Sequence, residues 1–123
     1  MEEWRWPNFS PKELSCPCCG EYYHCPLTLD RLQKAREIFG DALSVNSAHR
    51  CRRHNRRVGG ALNSCHLRIA IDLSLRGRDR HMVHSALVNA GFTTFGFYNT
   101  FIHTDIRPYR RWYGKGAKQI WTS

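Results

Sequence analysis

The chain has 123 residues, Lys and Arg outnumber Asp and Glu by 19 to 10, and the formal net charge is +9. That length suits one ordinary domain with a single core, residues 1–123, and no segment approaches the roughly 20 apolar residues of a spanning helix. The opening Met1-Glu2-Glu3-Trp4-Arg5-Trp6-Pro7 lacks the basic and then apolar pattern of a signal peptide, so synthesis in the cytoplasm without membrane insertion is the expectation.

Ser10-Pro11-Lys12-Glu13 is a helix start, with a hydroxyl cap, proline at the first helical position and a glutamate placed to reach back. It opens only a short turn, because Cys16-Pro17-Cys18-Cys19-Gly20 follows and makes 1–26 a cysteine-rich N-terminal segment. From Thr28 to Phe39 the residues Leu29, Leu32, Ala35, Ile38 and Phe39 share a face, and Gly40 stands where a capping glycine belongs. Ala42 to Ser47 alternates as a half-buried strand with Leu43 and Val45 inward.

A basic stretch then leads to Gly59-Gly60, and Ile69-Ala70-Ile71-Asp72-Leu73 reads as a buried strand carrying one carboxylate. Asp79 to Ala90 is a second amphipathic helix, with Met82, Val83, Ala86 and Leu87 inward and Gly91 closing it. Strands near Thr94 to Tyr98 and Phe101 to Ile106 are separated by Asn99-Thr100 and predict a hairpin. The fold class is α+β, a small antiparallel sheet with two main helices.

An aspartate inside an apolar run needs a partner, because an unpaired buried carboxylate costs several kcal/mol or titrates to neutral. His66, six positions upstream, and His103, between Phe101-Ile102 and Thr104, could converge with Asp72 on one metal. Two imidazoles and a carboxylate leave a fourth tetrahedral position for water, the arrangement of a catalytic zinc, which would lower the pKa of that water and polarise a carbonyl. The alternative is that Asp72 pairs with one of the many arginines and both histidines are ordinary.

The wider pattern separates these. Val45-Asn46-Ser47-Ala48-His49-Arg50, His54-Asn55, Val58-Gly59-Gly60-Ala61, Asn63-Ser64-Cys65-His66, Ala70-Ile71-Asp72 and Phe101-Ile102-His103-Thr104-Asp105-Ile106-Arg107 occur in that order. Together they resemble the zinc D-alanyl-D-alanine carboxypeptidase family, which includes bacteriophage endolysins and shares its fold with the hedgehog signalling domain. The resemblance implies a zinc metallopeptidase acting on peptidoglycan stem peptides, as a carboxypeptidase or a cell-wall endopeptidase of a phage or prophage. It implies action on the wall after lysis, holin release or incorporation in a virion.

The same resemblance makes His66, Asp72 and His103 the zinc ligands, Arg50 the residue that binds substrate and stabilises the oxyanion, and Ser64 a residue of the substrate cleft. A guanidinium suits the arginine's task because it stays charged and offers a planar fork of donors. Two departures stand out: the stretch from His66 to Asp72 is one residue shorter than usual and lacks a glycine, and no carboxylate precedes His103 where relatives carry a general base. Asp105 is the nearest acid, two residues on and on the same strand face, where it could act as base or orient a ligand. His49, His81 and Asp79 are weaker alternatives.

Cys16 and Cys19 form a Cys-x-x-Cys half-site that Cys25 and Cys51, with His24 nearby, could complete as a second, structural metal site; free thiols are the alternative. The aromatics Trp4, Trp6, Tyr22, Tyr23, Trp112, Tyr113 and Trp121 lie towards the two ends, where mutual packing is the ordinary role and a glycan-stacking rim the sharper one. Two further functions compete with the peptidase. One is a zinc-containing peptidoglycan-binding module without catalysis. The other is a zinc-stabilised nucleic-acid-binding protein built on the cysteines and arginines, for which the motifs around His103 argue poorly.

Overall fold

The structure is a computed structural model and describes residues 4–15, 25–48 and 70–122, with the Ser47 side chain left aside. Its elements in chain order are α1 (Pro26–Phe39), β1 (Val45–Ser47), β2 (Ile71–Ser74), α2 (Arg80–Ala90), β3 (Thr94–Phe97), β4 (Phe101–Asp105), β5 (Arg110–Tyr113) and α3 (Ala117–Thr122).

Local chemistry sets the boundaries. The Ser10 cap forms as its spacing predicts: the Ser10 amide donates to Glu13 Oε1 at 2.7 Å and the Glu13 amide to Ser10 Oγ at 3.3 Å, around a turn that goes no further. Helix α1 begins two residues before the predicted start because Pro26 occupies its first turn, and it ends at Gly40, whose φ of 79° lets its amide reach the Arg36 carbonyl at 3.0 Å. Asp79 caps α2 by accepting from the His81 and Met82 amides, and Gly91 closes that helix at φ 106°.

Helices α1 and α2 pack against each other and over one face of the sheet. Leu32, Ala35, Val83 and Leu87 are fully buried there. Two residues expected inward are not: Ile38 is 45% exposed and Met82 57%. The buried stripe of α1 turns instead through Thr28, Leu29, Leu32, Gln33 and Ala35, and that of α2 through Val83, Ala86, Leu87 and Ala90. Gln33 is buried at no unpaired cost, since it exchanges two hydrogen bonds with Asn8, at 2.6 and 3.2 Å. Trp6 joins the same core and donates its indole N–H to Asp30.

The five strands run in the order β1-β2-β4-β3-β5. The first four are mutually antiparallel, with the predicted hairpin between β3 and β4; β5 adds parallel to β3, so the sheet is mixed at that edge. Neither β5 nor α3 is expected from the sequence pattern. Alternation sorts the side chains: Ile71, Leu73, Phe95, Phe97 and Ile102 face the helices, where His84 of α2 meets Phe95 and Phe97 edge-on and Trp121 of α3 packs on Phe97. Asp72, His103 and Asp105 therefore lie on the other face.

A candidate metal centre on the polar face of the sheet

Register brings the site together. Asp72 of β2 lies directly opposite His103 of β4, His103 opposite Gly96 of β3, and Gly96 beside Trp112 of β5, one row across four strands. At the β1 edge the row continues to residue 47, across a β-bulge between Val45 and Ser47. Asp72 and His103 thus sit on central strands, fixed by a ladder on both sides.

His103 Nδ1 is 3.0 Å from Asp72 Oδ1, and His103 Nε2 is 2.8 Å from Asp105 Oδ2. Asp105 is fully buried and both its oxygens are engaged: Oδ2 also meets an Arg107 guanidinium nitrogen at 3.0 Å, and Oδ1 accepts from the Arg107 amide and Nε at 2.9 and 3.0 Å. Burial alone would raise the pKa of this carboxyl, but the hydrogen bonds from His103 and Arg107 outweigh it and hold Asp105 well below the usual carboxylate range. The loop that carries Arg107 is pinned in turn by Thr94, whose hydroxyl contacts the carbonyls of Arg107 and Pro108 at 3.1 and 3.0 Å, and by the Thr93 hydroxyl on the Arg107 carbonyl.

An ionised Asp105 accepts the Nε2 proton and so fixes the tautomer of His103. The Nδ1 lone pair then faces the Asp72 carboxylate, and two acceptors 3.0 Å apart repel unless a second proton or a metal cation lies between them. An imidazole nitrogen and a carboxylate oxygen are both good zinc donors, and two ligands at about 2.0–2.1 Å from a tetrahedral ion stand about 3.3 Å apart, close to the observed spacing. The donor pair fits zinc.

Of the other residues singled out from sequence, His66, Arg50, Ser64, Cys16, Cys19 and Cys51 lie outside the described residues, as do His24 and His49. Among the described residues no group of three or more His, Cys, Asp or Glu side chains is placed to hold a metal. Cys25 precedes α1 with its sulfur 3.3 Å from the Thr28 hydroxyl. Asp79 is committed to capping α2, and His81 is exposed on that helix, edge-on to Trp121.

Trp112 is the residue of this face whose role the sequence conceals. Its indole packs closely against Gly96, where a methyl group would come within 2.7 Å of Nε1, and its ring centroid is 5.1 Å from that of His103. The indole N–H donates to the Tyr98 hydroxyl at 2.8 Å, and the Tyr98 ring stacks on Phe101 and lies over Gly114. The available signal was a glycine inside a strand, which marks close approach by another group.

The peptidase M15 family model matches residues 7–105, from the N-terminal turn to the end of β4. The chain belongs to the peptidase M15 family. Peptidases of this family are typically zinc-dependent and act on peptidoglycan-type substrates, which makes the chain a hydrolase of the metallopeptidase class. A comparison with curated proteins gives no match. The matched span contains Asp72 and His103 as well as Arg50, Ser64 and His66, and it ends before Trp112.

Proposed function

We propose that this M15 peptidase cleaves D-alanine-containing stem peptides of peptidoglycan, with one zinc held by His66, Asp72 and His103. The observation that carries this reading is the pairing of Asp72 with a His103 whose other nitrogen is locked to a buried, ionised carboxylate. Bound zinc would supply a water of lowered pKa and polarise the scissile carbonyl. The chain's own residues do the rest.

Asp72 brings a negative charge to the β2 side of the site, and its neighbours Ile71 and Leu73 anchor that strand in the core. Asp105 accepts a hydrogen bond from His103 Nε2–H and so turns the ring to present Nδ1 to Asp72, while Arg107 pairs with Asp105. This geometry favours Asp105 as a positioning residue for His103 over Asp105 as general base, since neither of its oxygens is spare. Arg50, from its place in the motif, receives the substrate carbonyl oxygen as it becomes an oxyanion, and Ser64 lines the cleft. The choice between carboxypeptidase and endopeptidase, and a phage lysis or virion setting, rest on the resemblance of the motifs.

The test is digestion of purified peptidoglycan by the zinc-loaded protein, with products read by mass spectrometry. Release of D-alanine or of cut crosslinks, lost with His103→Ala, supports the reading. Retained peptidoglycan binding with no product would make the chain a binding module. Binding to DNA that survives His103→Ala, with no product, would favour the nucleic-acid alternative.

A further inference from the structure

We propose that Arg110 and Trp112 of β5 form a carboxylate-recognising wall of the substrate cleft, beside the Asp72–His103 pair. The proposal rests on the peptidase reading but concerns residues outside the matched span.

Alternation along β5 separates its two adjacent arginines. Arg111 faces the core side, with its guanidinium 4.9 Å from the Phe95 ring centroid and 4.3 Å from that of Tyr109. Arg110 and Trp112 point to the opposite face, the one that carries His103 and Asp105. There the Arg110 guanidinium lies over the indole of Trp112, 5.3 Å from its centroid, while its side chain remains exposed. Trp112 is half-buried and held in one orientation by Gly96 beneath it and by Tyr98 at its N–H.

This arrangement has the chemistry of an anion subsite. Stacking on an aromatic face orients the guanidinium plane and leaves its edge donors free for a bidentate carboxylate partner. The platform is rigid, so little freedom is lost when a ligand binds. The indole also lies 5.1 Å from His103, ring centre to ring centre, which places the recognised carboxylate close to the bond that is cut. The substrate class is a peptide bearing a free carboxylate one residue or so from the bond that is cut. A stem peptide with a free terminal or side-chain carboxyl meets that description; an amidated one does not.

The experiment compares an acylated peptide ending in D-Ala-D-Ala as the free acid and as the carboxamide, on zinc-loaded wild type, Arg110→Ala, Arg110→Lys, Trp112→Phe and Trp112→Ala. A second arm titrates the metal-free proteins calorimetrically with the same two peptides. Arg110→Ala should narrow the acid-over-amide preference roughly tenfold in both kcat/KM and affinity, the scale of one charge-assisted hydrogen-bonded contact, with the larger loss on the acid. Arg110→Lys should recover part of the preference, and Trp112→Ala should lose more of it than Trp112→Phe. Equal losses on acid and amide, or no loss with Arg110→Ala, would overturn the proposal. Absence of any cleavage by wild type would instead overturn the peptidase reading, while the calorimetric arm would still decide whether the carboxylate is recognised.

Discussion

The two faces of this sheet are made by the same five strands and obey opposite rules. On the helix side, Ile71, Leu73, Phe95, Phe97 and Ile102 are buried among side chains of α1, α2 and α3, and size and shape decide what fits. On the other side, Asp72, His103, Asp105 and Arg107 are held to one another by directed polar contacts. A strand residue belongs to one regime and its neighbour to the other. Stability and chemistry should therefore separate residue by residue along β2 and β4.

The largest expected effects break one face and spare the other. His103→Ala or Asp72→Ala should remove zinc binding and reduce peptide cleavage to background, with a far-UV spectrum like that of wild type. Phe95→Ala, on the core face, should instead cost about 3–5 kcal/mol of stability by denaturant titration. Any cleavage that survives in the folded fraction should keep its kcat.

Asp105 lies where the regimes meet, because it is fully buried yet serves the polar row. Asp105→Asn should weaken zinc about 10–100-fold, the usual cost of losing the group that orients a ligand histidine, as read by competition with a chromophoric chelator. It should also destabilise the fold, since Arg107 and His103 lose their ionised partner. A catalytic base would behave otherwise: kcat would collapse with zinc affinity unchanged.

Gly96→Ala sharpens the comparison within one residue. The added methyl group meets the indole of Trp112 and must displace it. We expect a several-fold rise in KM for acidic peptides, about the size of the Trp112→Ala effect, and an unchanged zinc affinity.

The smallest effect is a pH dependence confined to the core face. His84 is lodged among Phe95, Phe97 and Trp121, and burial, then Arg111 and His81, lower its pKa from the ordinary value. The unfolded chain takes up a proton near pH 6.5 that the folded chain resists, so stability falls as the pH drops below about 6.5. His84→Gln should flatten that part of the melting-temperature profile relative to wild type.

How much of this could be read beforehand follows from the same division. Periodicity located both main helices and the hairpin, because their apolar stripes are long; it misplaced Ile38 and Met82 because each stripe is narrower than its count of apolar residues suggests. Strand β5 was invisible because Arg110-Arg111-Trp112-Tyr113 shows no apolar alternation, its pairing coming from a parallel neighbour far back in sequence. The antiparallel sheet of the sequence reading is accordingly mixed at one edge. Of the candidate centre, the pairing of Asp72 with His103 could be anticipated, because an aspartate in an apolar run and a histidine beside Ile102 both need polar partners. Asp105 could be named but not given a role, since only the contacts of both its oxygens distinguish an orienting group from a base. Trp112 could not be tied to the site at all, because what brings it there is the absence of a side chain at Gly96.

The most direct test of the central claim, that Asp72 and His103 form the working half of a zinc peptidase site, is digestion of purified peptidoglycan followed by mass spectrometry, with and without a chelator. The account predicts D-alanine or cut-crosslink products from wild type that disappear with the chelator, return on adding zinc, and are never formed by His103→Ala. Products that persist in both the chelated protein and the variant would contradict it.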